Sequence, residues 1–420
     1  MIKGIKGVKD LLPEDTPRWH LIEETARRWA ERYGFHEIRI PIFEVTTLFA
    51  RSIGASTDIV EKEMYTFQDR DGTSLTLRPE GTAGTVRAYI EHNRPAVPVP
   101  QKYFYFGPMF RHERPQAGRL RQFHQFGVES LGMADPRADV EVISLLWRIL
   151  CELDLPSLTL EINNLGYTSD RDVYRPHLVE YLKQHESGLC ANCRHRIEAN
   201  PLRVLDCKVP ECRAITETAP RLADSLSEAA RSYFSRVLAG LDTIKIPYSL
   251  NHRLVRGLDY YNLTTFEVTA TNLGAQNAVG AGGRYDGLVE TLGGPPTPAV
   301  GFAVGLERIG MLLPESAMKA LPEHAAVYVA GFGTLGAVAG LSALEELRLA
   351  GMQAVSDFRS STLKAHLRQA DRLGCRFALI LGDDEVAKGT AVLRNMVTKT
   401  QHELGISTLS REIHPFVLGS

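Results

Sequence analysis

Between Phe110 and Glu129 the chain reads FRHERPQAGRLRQFHQFGVE, with arginines at 111, 114, 119 and 121. Arginine grips phosphate and carboxylate oxygens two at a time through a planar fork of donors. One basic loop is ordinarily a solvated tip, but four arginines in one short segment predict a ligand carrying several phosphates. A second cluster, Gly280-Ala281-Gly282-Gly283-Arg284-Tyr285-Asp286-Gly287, has glycines dense enough for backbone to approach a ligand closely. By itself it reads as a hairpin turn; its arginine and tyrosine add weight to a functional role. It fits neither G-x-G-x-x-G nor the G-x-x-x-x-G-K-[ST] phosphate loop, which disfavours a P-loop ATPase. Gly331-Phe332-Gly333-Thr334-Leu335-Gly336 does match the dinucleotide fingerprint, with Asp357 about twenty residues on. Only about ninety residues remain there, half of what a dinucleotide crevice needs, so these glycines are read as a turn and close helix packing. Finally, Cys190-x2-Cys193 and Cys207-x4-Cys212 have spacings compatible with a four-thiolate zinc site, and four reduced thiols are an equal alternative.

The composition narrows the classes. At 420 residues two or three domains are expected. A net charge of -2 supplies no global field for nucleic acid, so any RNA contact must use local patches. The opening MIKGIKGVKDLLPED has charges where a signal peptide needs an apolar core, and no apolar run is long enough to span a bilayer. A cytoplasmic protein with no membrane partner is expected, with its six cysteines as thiols or metal ligands and Cys151 and Cys375 solitary and packed.

The elements that must position these groups fall into three blocks. Trp19, Ile22, Ala26, Trp29, Ala30 and Tyr33 have the spacing of a helix with one buried face, capped at Asp15 and stopped at Gly34. A strand ending at Pro41 follows, and further strands are expected at 74–77, 103–106, 123–129 and 158–162, with the arginine segment as the polar loop between two of them. Residues 167–243 are polar, helix-prone and cysteine-bearing, and read as a helical insertion, because strands resume at 248–250 and 266–268. After Pro322 an alternation of strands (326–330, 353–356, 377–381) and helices (337–350, 363–373) predicts a small α/β domain with a mainly parallel sheet. The expected domains are a core over 1–325, interrupted by the insertion 167–243, and an α/β domain over 326–420.

In chain order the sequence contains Arg78-Pro79-Glu80-Gly81-Thr82, Phe110-Arg111-His112-Glu113-Arg114-Pro115-Gln116, Arg121-Gln122-Phe123-His124-Gln125, Leu254-Val255-Arg256-Gly257-Leu258-Asp259-Tyr260-Tyr261, Gly282-Gly283-Arg284-Tyr285-Asp286 and Gly305-Leu306-Glu307-Arg308. This ordered set closely resembles the histidyl-tRNA synthetases, a class II aminoacyl-tRNA synthetase family, over nearly the whole chain. The resemblance implies an α+β class II core with a mainly antiparallel sheet and a C-terminal α/β anticodon-binding domain. It also implies a homodimer, Mg2+ with ATP, and a two-step reaction in which histidine is adenylated and then transferred to the 3' end of histidine tRNA. Arg111 is similar to the arginine that grips the α-phosphate, and Arg256 to the catalytic arginine across from it. Arg119 and Arg308 would hold the outer phosphates, Phe123 would stack on adenine, and Glu113 would touch the base or metal. For histidine, Glu129 is the expected imidazole partner, with Tyr261 and Tyr285 as hydroxyls and walls, Glu80 and Thr82 at the α-ammonium, and Gln125 near the carboxylate. Relatives that serve as non-catalytic regulatory subunits tend to lack RGLDYY and the terminal domain, both of which this chain has. Lys364, Arg368, Arg372, Lys388 and Arg394 are the basic groups of the terminal block that could meet RNA phosphates.

Overall fold

In the computed structural model, which describes residues 2–54, 57–97, 99–116, 118–271, 277–319 and 327–417, the arginine-bearing segment is the turn of a long antiparallel hairpin. The chain divides into two compact units, Met1–Ala320 and Leu321–Ser420. The expected division between 325 and 326, and Ala326 of the expected strand, lie outside the described residues.

The strands of the first unit are β1 (His36–Glu37), β2 (Phe43–Val45), β3 (Thr66–Gln68), β4 (Ser74–Leu77), β5 (Gln101–Phe110), β6 (Gln122–Leu131), β7 (Leu158–Asn164), β8 (Ser249–Leu250), β9 (Asn262–Ala270), β10 (Ala278–Arg284) and β11 (Ala299–Gly305). Eight of them form one sheet in the order β1-β5-β6-β11-β10-β9-β7-β8, while β2-β4-β3 make a small antiparallel sheet. Pairings inside the large sheet are antiparallel, and only the short edge strands β1 and β8 run parallel to their neighbours. The strand expected up to Pro41 pairs only at His36 and Glu37.

Successive side chains of a strand face opposite ways, and this alternation divides the sheet's labour. Phe126 and Val128 of β6, with Val300, Phe302 and Val304 of β11, enter the main core with three helices, Thr16–Arg32, Arg137–Glu152 and Glu228–Thr243. Each fully buried large apolar side chain there contributes roughly 1.5–3 kcal/mol. The intervening positions on the other face are small: Gly127 on β6, Ala281 and Gly283 on β10, and Gly301 and Ala303 on β11. A hollow opens there. The 280–287 glycines do not form the hairpin turn that they would suggest by themselves: Gly280, Gly282 and Gly283 lie within β10. A Cβ on Gly282 would collide with the Gly301 carbonyl oxygen, and one on Gly283 would lie 2.6 Å from the Thr264 oxygen. Asp15 precedes the first helix but pairs with Lys9 at 3.3 Å without capping it.

The regular elements of the segment expected as an insertion are all helices. Its helices Thr168–Gln184, Ala191–Ala199, Leu202–Leu205 and Pro210–Glu217 gather around Leu178, Leu182, Ile197 and Val204, in one apolar cluster with Tyr261 and Tyr285. Its last helix, Glu228–Thr243, behaves differently, because Val237 and Leu241 pack into the main core. Cys375 is buried as expected, whereas Cys151 is exposed. No helix among the described residues is long and apolar enough to cross a membrane.

In the second unit β12 (Val327–Gly331), β13 (Ala354–Val355), β14 (Phe377–Leu381), β15 (Thr390–Asn395) and β16 (Gln401–Gly405) form a sheet ordered β13-β12-β14-β15-β16. The expectation of a mainly parallel sheet holds for its first half only: β13-β12-β14 are parallel, and β14-β15-β16 antiparallel. The β12 turn keeps its glycines for packing. A Cβ on Gly331 would lie 2.6 Å from the Gly336 oxygen, and Gly333 has φ +80°. The N–H groups of Thr334, Leu335 and Gly336, which a dinucleotide phosphate would need, donate to the Asp383 carboxylate at 3.2, 2.8 and 3.0 Å. The anion position is filled by the protein's own side chain.

Candidate active site

The hollow of the large sheet is a cavity of about 280 Å³, and most of the expected site residues line it. Strand alternation accounts for several. Phe123, Gln125 and Glu129 share one face of β6, and the register sets Gly127 opposite Tyr105 and Gly301 opposite Glu129. With no side chain at Gly81 or Gly127, the Tyr105 ring lies across both.

At the deep end stands Glu129, only 1% exposed. Its Oε1 accepts from Thr82 Oγ1 at 2.7 Å and from the Tyr105 hydroxyl at 3.2 Å, and its Oε2 accepts from the Tyr285 hydroxyl. Burial pushes its carboxyl up to about 8, against the pull of the Tyr285 and Thr82 hydrogen bonds, with nearby Glu80 adding to the rise. Glu80 is buried too, and burial raises it, although the N–H groups of Thr82 (2.6 Å) and Ala83 (2.8 Å) donate to it. These donors open the Thr82–Glu91 helix, so Glu80 satisfies amides that would otherwise be orphaned. The rings of Tyr260, Tyr261 and Tyr285 pack edge-on and tilted beside this network, and burial pushes the Tyr261 hydroxyl up to about 12.

Arginines form the other end. Arg111 donates from Nε to the Pro79 carbonyl at 2.8 Å and lies over the Phe123 ring, 5.3 Å from its centroid. Arg119 pairs with Glu113 at 2.8 Å. Arg308 donates to the carbonyls of Gly118 (3.2 Å) and Ala278 (2.6 Å). Arg256 pairs with Glu267 at 2.6 Å, while its buried Nε and the Oε1 of Gln125 have no partner among the described residues. Together these four guanidiniums make a cationic wall with unused donor capacity, suited to a polyanion.

Arg111, Glu113, Arg119, Phe123, Arg256 and Arg308 thus meet on one cavity, with Glu80, Thr82 and Gln125. Glu129, Tyr261 and Tyr285 are buried and do not line it; Glu129 joins it through Thr82 and binds Tyr285. Arg284, in the glycine cluster that suggested function, serves the fold: fully buried, it pairs with Asp139 at 2.5 Å and Asp286 at 3.0 Å. Arg114 is exposed. Tyr260 and Glu307 also line the cavity and Tyr105 reaches Glu129, three contributions that no local pattern in the sequence assigns. Glu307 accepts from the His124 backbone N–H at 2.9 Å, tying the helix that follows β11 to β6. The signal for the hollow was the alternation in Ala299-Val300-Gly301-Phe302-Ala303-Val304-Gly305, small on one face and large on the other.

An antiparallel sheet with a carboxylate-floored hollow, an arginine hairpin over it and a helix following β11 defines a class II synthetase core. The sequence profile described as Histidyl-tRNA synthetase matches residues 7–171 and 178–309, and that described as Anticodon binding domain matches 339–414. The chain is 48% identical over 413 residues to the histidine--tRNA ligase of Anaeromyxobacter sp. (strain K), covering 98% of this chain and 99% of the relative. It is 48% identical over 400 residues to that of Trichlorobacter lovleyi, covering 95% of each. The crystal structure of apo S. aureus histidyl-tRNA synthetase superposes with a TM-score of 0.83 at 36% identity, covering 98% of this chain and 99% of that one. An ATP phosphoribosyltransferase regulatory subunit/histidyl-tRNA synthetase from Bacillus halodurans C shares the fold at 20% identity and TM-score 0.67, covering 91% and 98%. This chain belongs to the histidyl-tRNA synthetase family.

Proposed function

We infer that the chain is an ATP-dependent histidine--tRNA ligase and that the two ends of the cavity divide its work. The observation that carries this reading is the convergence, on one hollow, of four arginines and a buried carboxylate network. A histidine carboxylate oxygen attacks the α-phosphorus of ATP, the bond to the bridging oxygen breaks, and pyrophosphate leaves. The terminal ribose hydroxyl of histidine tRNA then attacks the acyl carbon, and AMP leaves.

Arg111 and Arg256 take the α-phosphate from two sides and stabilise the charge that builds there. Arg119 and Arg308 hold the outer phosphates, and Phe123, already stacked with Arg111, receives the adenine. Glu113, a cavity-wall carboxylate paired with Arg119, would hold Mg2+ together with substrate phosphates, since one protein carboxylate with such phosphates suffices for this ion. When bound it draws charge from the phosphates. Glu80, Thr82 and Gln125 orient the amino-acid backbone, and Glu129 with Tyr261 and Tyr285 satisfies the imidazole, which offers one donor and one acceptor when neutral.

The working form is a homodimer in the cytoplasm. Ile42, Phe43, Val45 and Phe67 are exposed together at and beside the small β2-β4-β3 sheet, an apolar patch suited to a second copy. In the terminal unit Lys364, Arg368, Arg394 and Lys399 border one shallow depression and contact tRNA phosphates. Arg372 and Lys388 do not border it. Exchange of labelled pyrophosphate into ATP tests the reading: histidine alone among the amino acids should support it, and folded protein that exchanges with none, or with a different one, would refute it.

A further inference from the structure

Four thiols that the core chemistry does not use meet in the helical segment. The Sγ atoms of Cys190, Cys193, Cys207 and Cys212 all lie within 4.8 Å of one another, with Cys190 and Cys207 4.0 Å apart, and all four are free. With metal–sulfur bonds of about 2.3 Å, tetrahedral geometry sets sulfurs about 3.8 Å apart, so the cluster matches one mononuclear ion and is too tight to enclose a polynuclear iron–sulfur group. The surroundings suit thiolates. The Cys190 backbone N–H donates to Cys212 Sγ at 3.1 Å, and Lys208, Arg213 and Arg253 share a cavity wall with Cys207. Four thiolates and a divalent ion leave two negative charges; Arg213 and Arg253 line the same cavity as Cys207, while Lys208 is paired with Asp206 at 2.8 Å.

What the cluster closes is the link to the active site. Between Cys193 and Cys207, Arg196 pairs with Asp58 at 2.5 Å, just ahead of Ile59 in the cavity wall. Asn200 donates to Asp259 at 2.7 Å, and the Arg203 guanidinium lies over Gly257, where a Cβ would stand 3.3 Å from it. Gly257 and Asp259 belong to the Arg256–Tyr261 segment. We propose that Cys190, Cys193, Cys207 and Cys212 bind one structural zinc ion, and that this ion fixes the 194–206 segment as a brace on the Arg256–Tyr261 loop. The second half rests on the histidine-ligase reading; the first does not.

The test uses the full chain. Protein purified from zinc-supplemented cells is expected to hold about one zinc per chain, with the four thiols shielded from a thiol reagent until a mercurial releases the metal. Cobalt substituted into the wild type should show thiolate charge-transfer and tetrahedral d–d absorption. Cys190→Ser, at a half-exposed ligand, should lose the metal and raise KM for histidine several-fold more than KM for ATP. Folded wild type with iron instead, or with well under one zinc per chain and all four thiols reactive, would overturn the site. Metal loss with both KM values unchanged would overturn the brace, and failed exchange beside full zinc would indict only the catalytic reading.

Discussion

The two ends of the cavity are built on opposite plans. At the deep end, the oxygens of Glu129 and Glu80 accept hydrogen bonds from neighbouring protein groups, and burial raises the carboxyls. At the arginine end the guanidiniums are parked on backbone carbonyls and on single carboxylates, leaving donors to spare. A buried, hydrogen-bonded network tolerates only a ligand that replaces its bonds, which is how a site rejects near-isosteres. A loosely parked cation exchanges a neutral carbonyl for a phosphate oxygen and gains from it. Selectivity is thus assigned to the rigid end and charge stabilisation to the adaptable one.

The largest expected effect is on an arginine outside both ends. Arg284→Ala strands Asp139 in the core and should cost about 3–5 kcal/mol of stability, read as a large fall in melting temperature; Arg256→Ala, which leaves the part-exposed Glu267 without its partner, should cost clearly less. If the two behaved alike, the division between structural and catalytic arginines would fail. Next, Arg256→Ala should slow histidine-dependent pyrophosphate exchange by about 10²–10³-fold, as removal of one transition-state donor does. Glu129→Gln should weaken histidine use by about 2- to 12-fold, the loss of a neutral hydrogen bond of about 0.5–1.5 kcal/mol, with little change toward ATP.

A separate effect is a pH dependence of the ligand-free protein. The folded state holds the Glu129 proton up to about 8, whereas an ordinary carboxyl releases it near 4.5. The folded state therefore binds more protons across that window, and wild-type stability falls as pH rises through it. Glu129→Gln lacks this penalty. Its melting temperature should gain on the wild type between pH 5.5 and 8; a constant difference would mean that the Glu129 carboxyl is not held up by burial.

The arginine hairpin was legible because β-forming runs flank it, and β5 and β6 pair as that pattern requires. The ordered motifs made the cavity residues legible too, since Glu80, Arg111, Arg256 and Arg308 meet there from distant segments. Other features were hidden for physical reasons. Arg256 and Arg284 both stand beside glycine, and only three-dimensional packing gives the second a buried Asp139. The residues 280–283 looked like a turn because glycine marks both turns and crowded strands. β15 and β16 were missed, as local pattern does not reveal which way a late strand returns to the sheet. The filled anion position at Thr334–Gly336 depends on Asp383, 47 residues beyond Gly336.

The central claim is that the two ends act separately on their two substrates. Its most direct test is pyrophosphate exchange by Glu129→Gln and Arg119→Ala, with histidine and ATP varied in turn and melting curves run alongside. The account predicts a crossed result: Glu129→Gln raises KM for histidine and spares that for ATP, and Arg119→Ala does the reverse. Variants that melt like the wild type yet raise both KM values in parallel would contradict it.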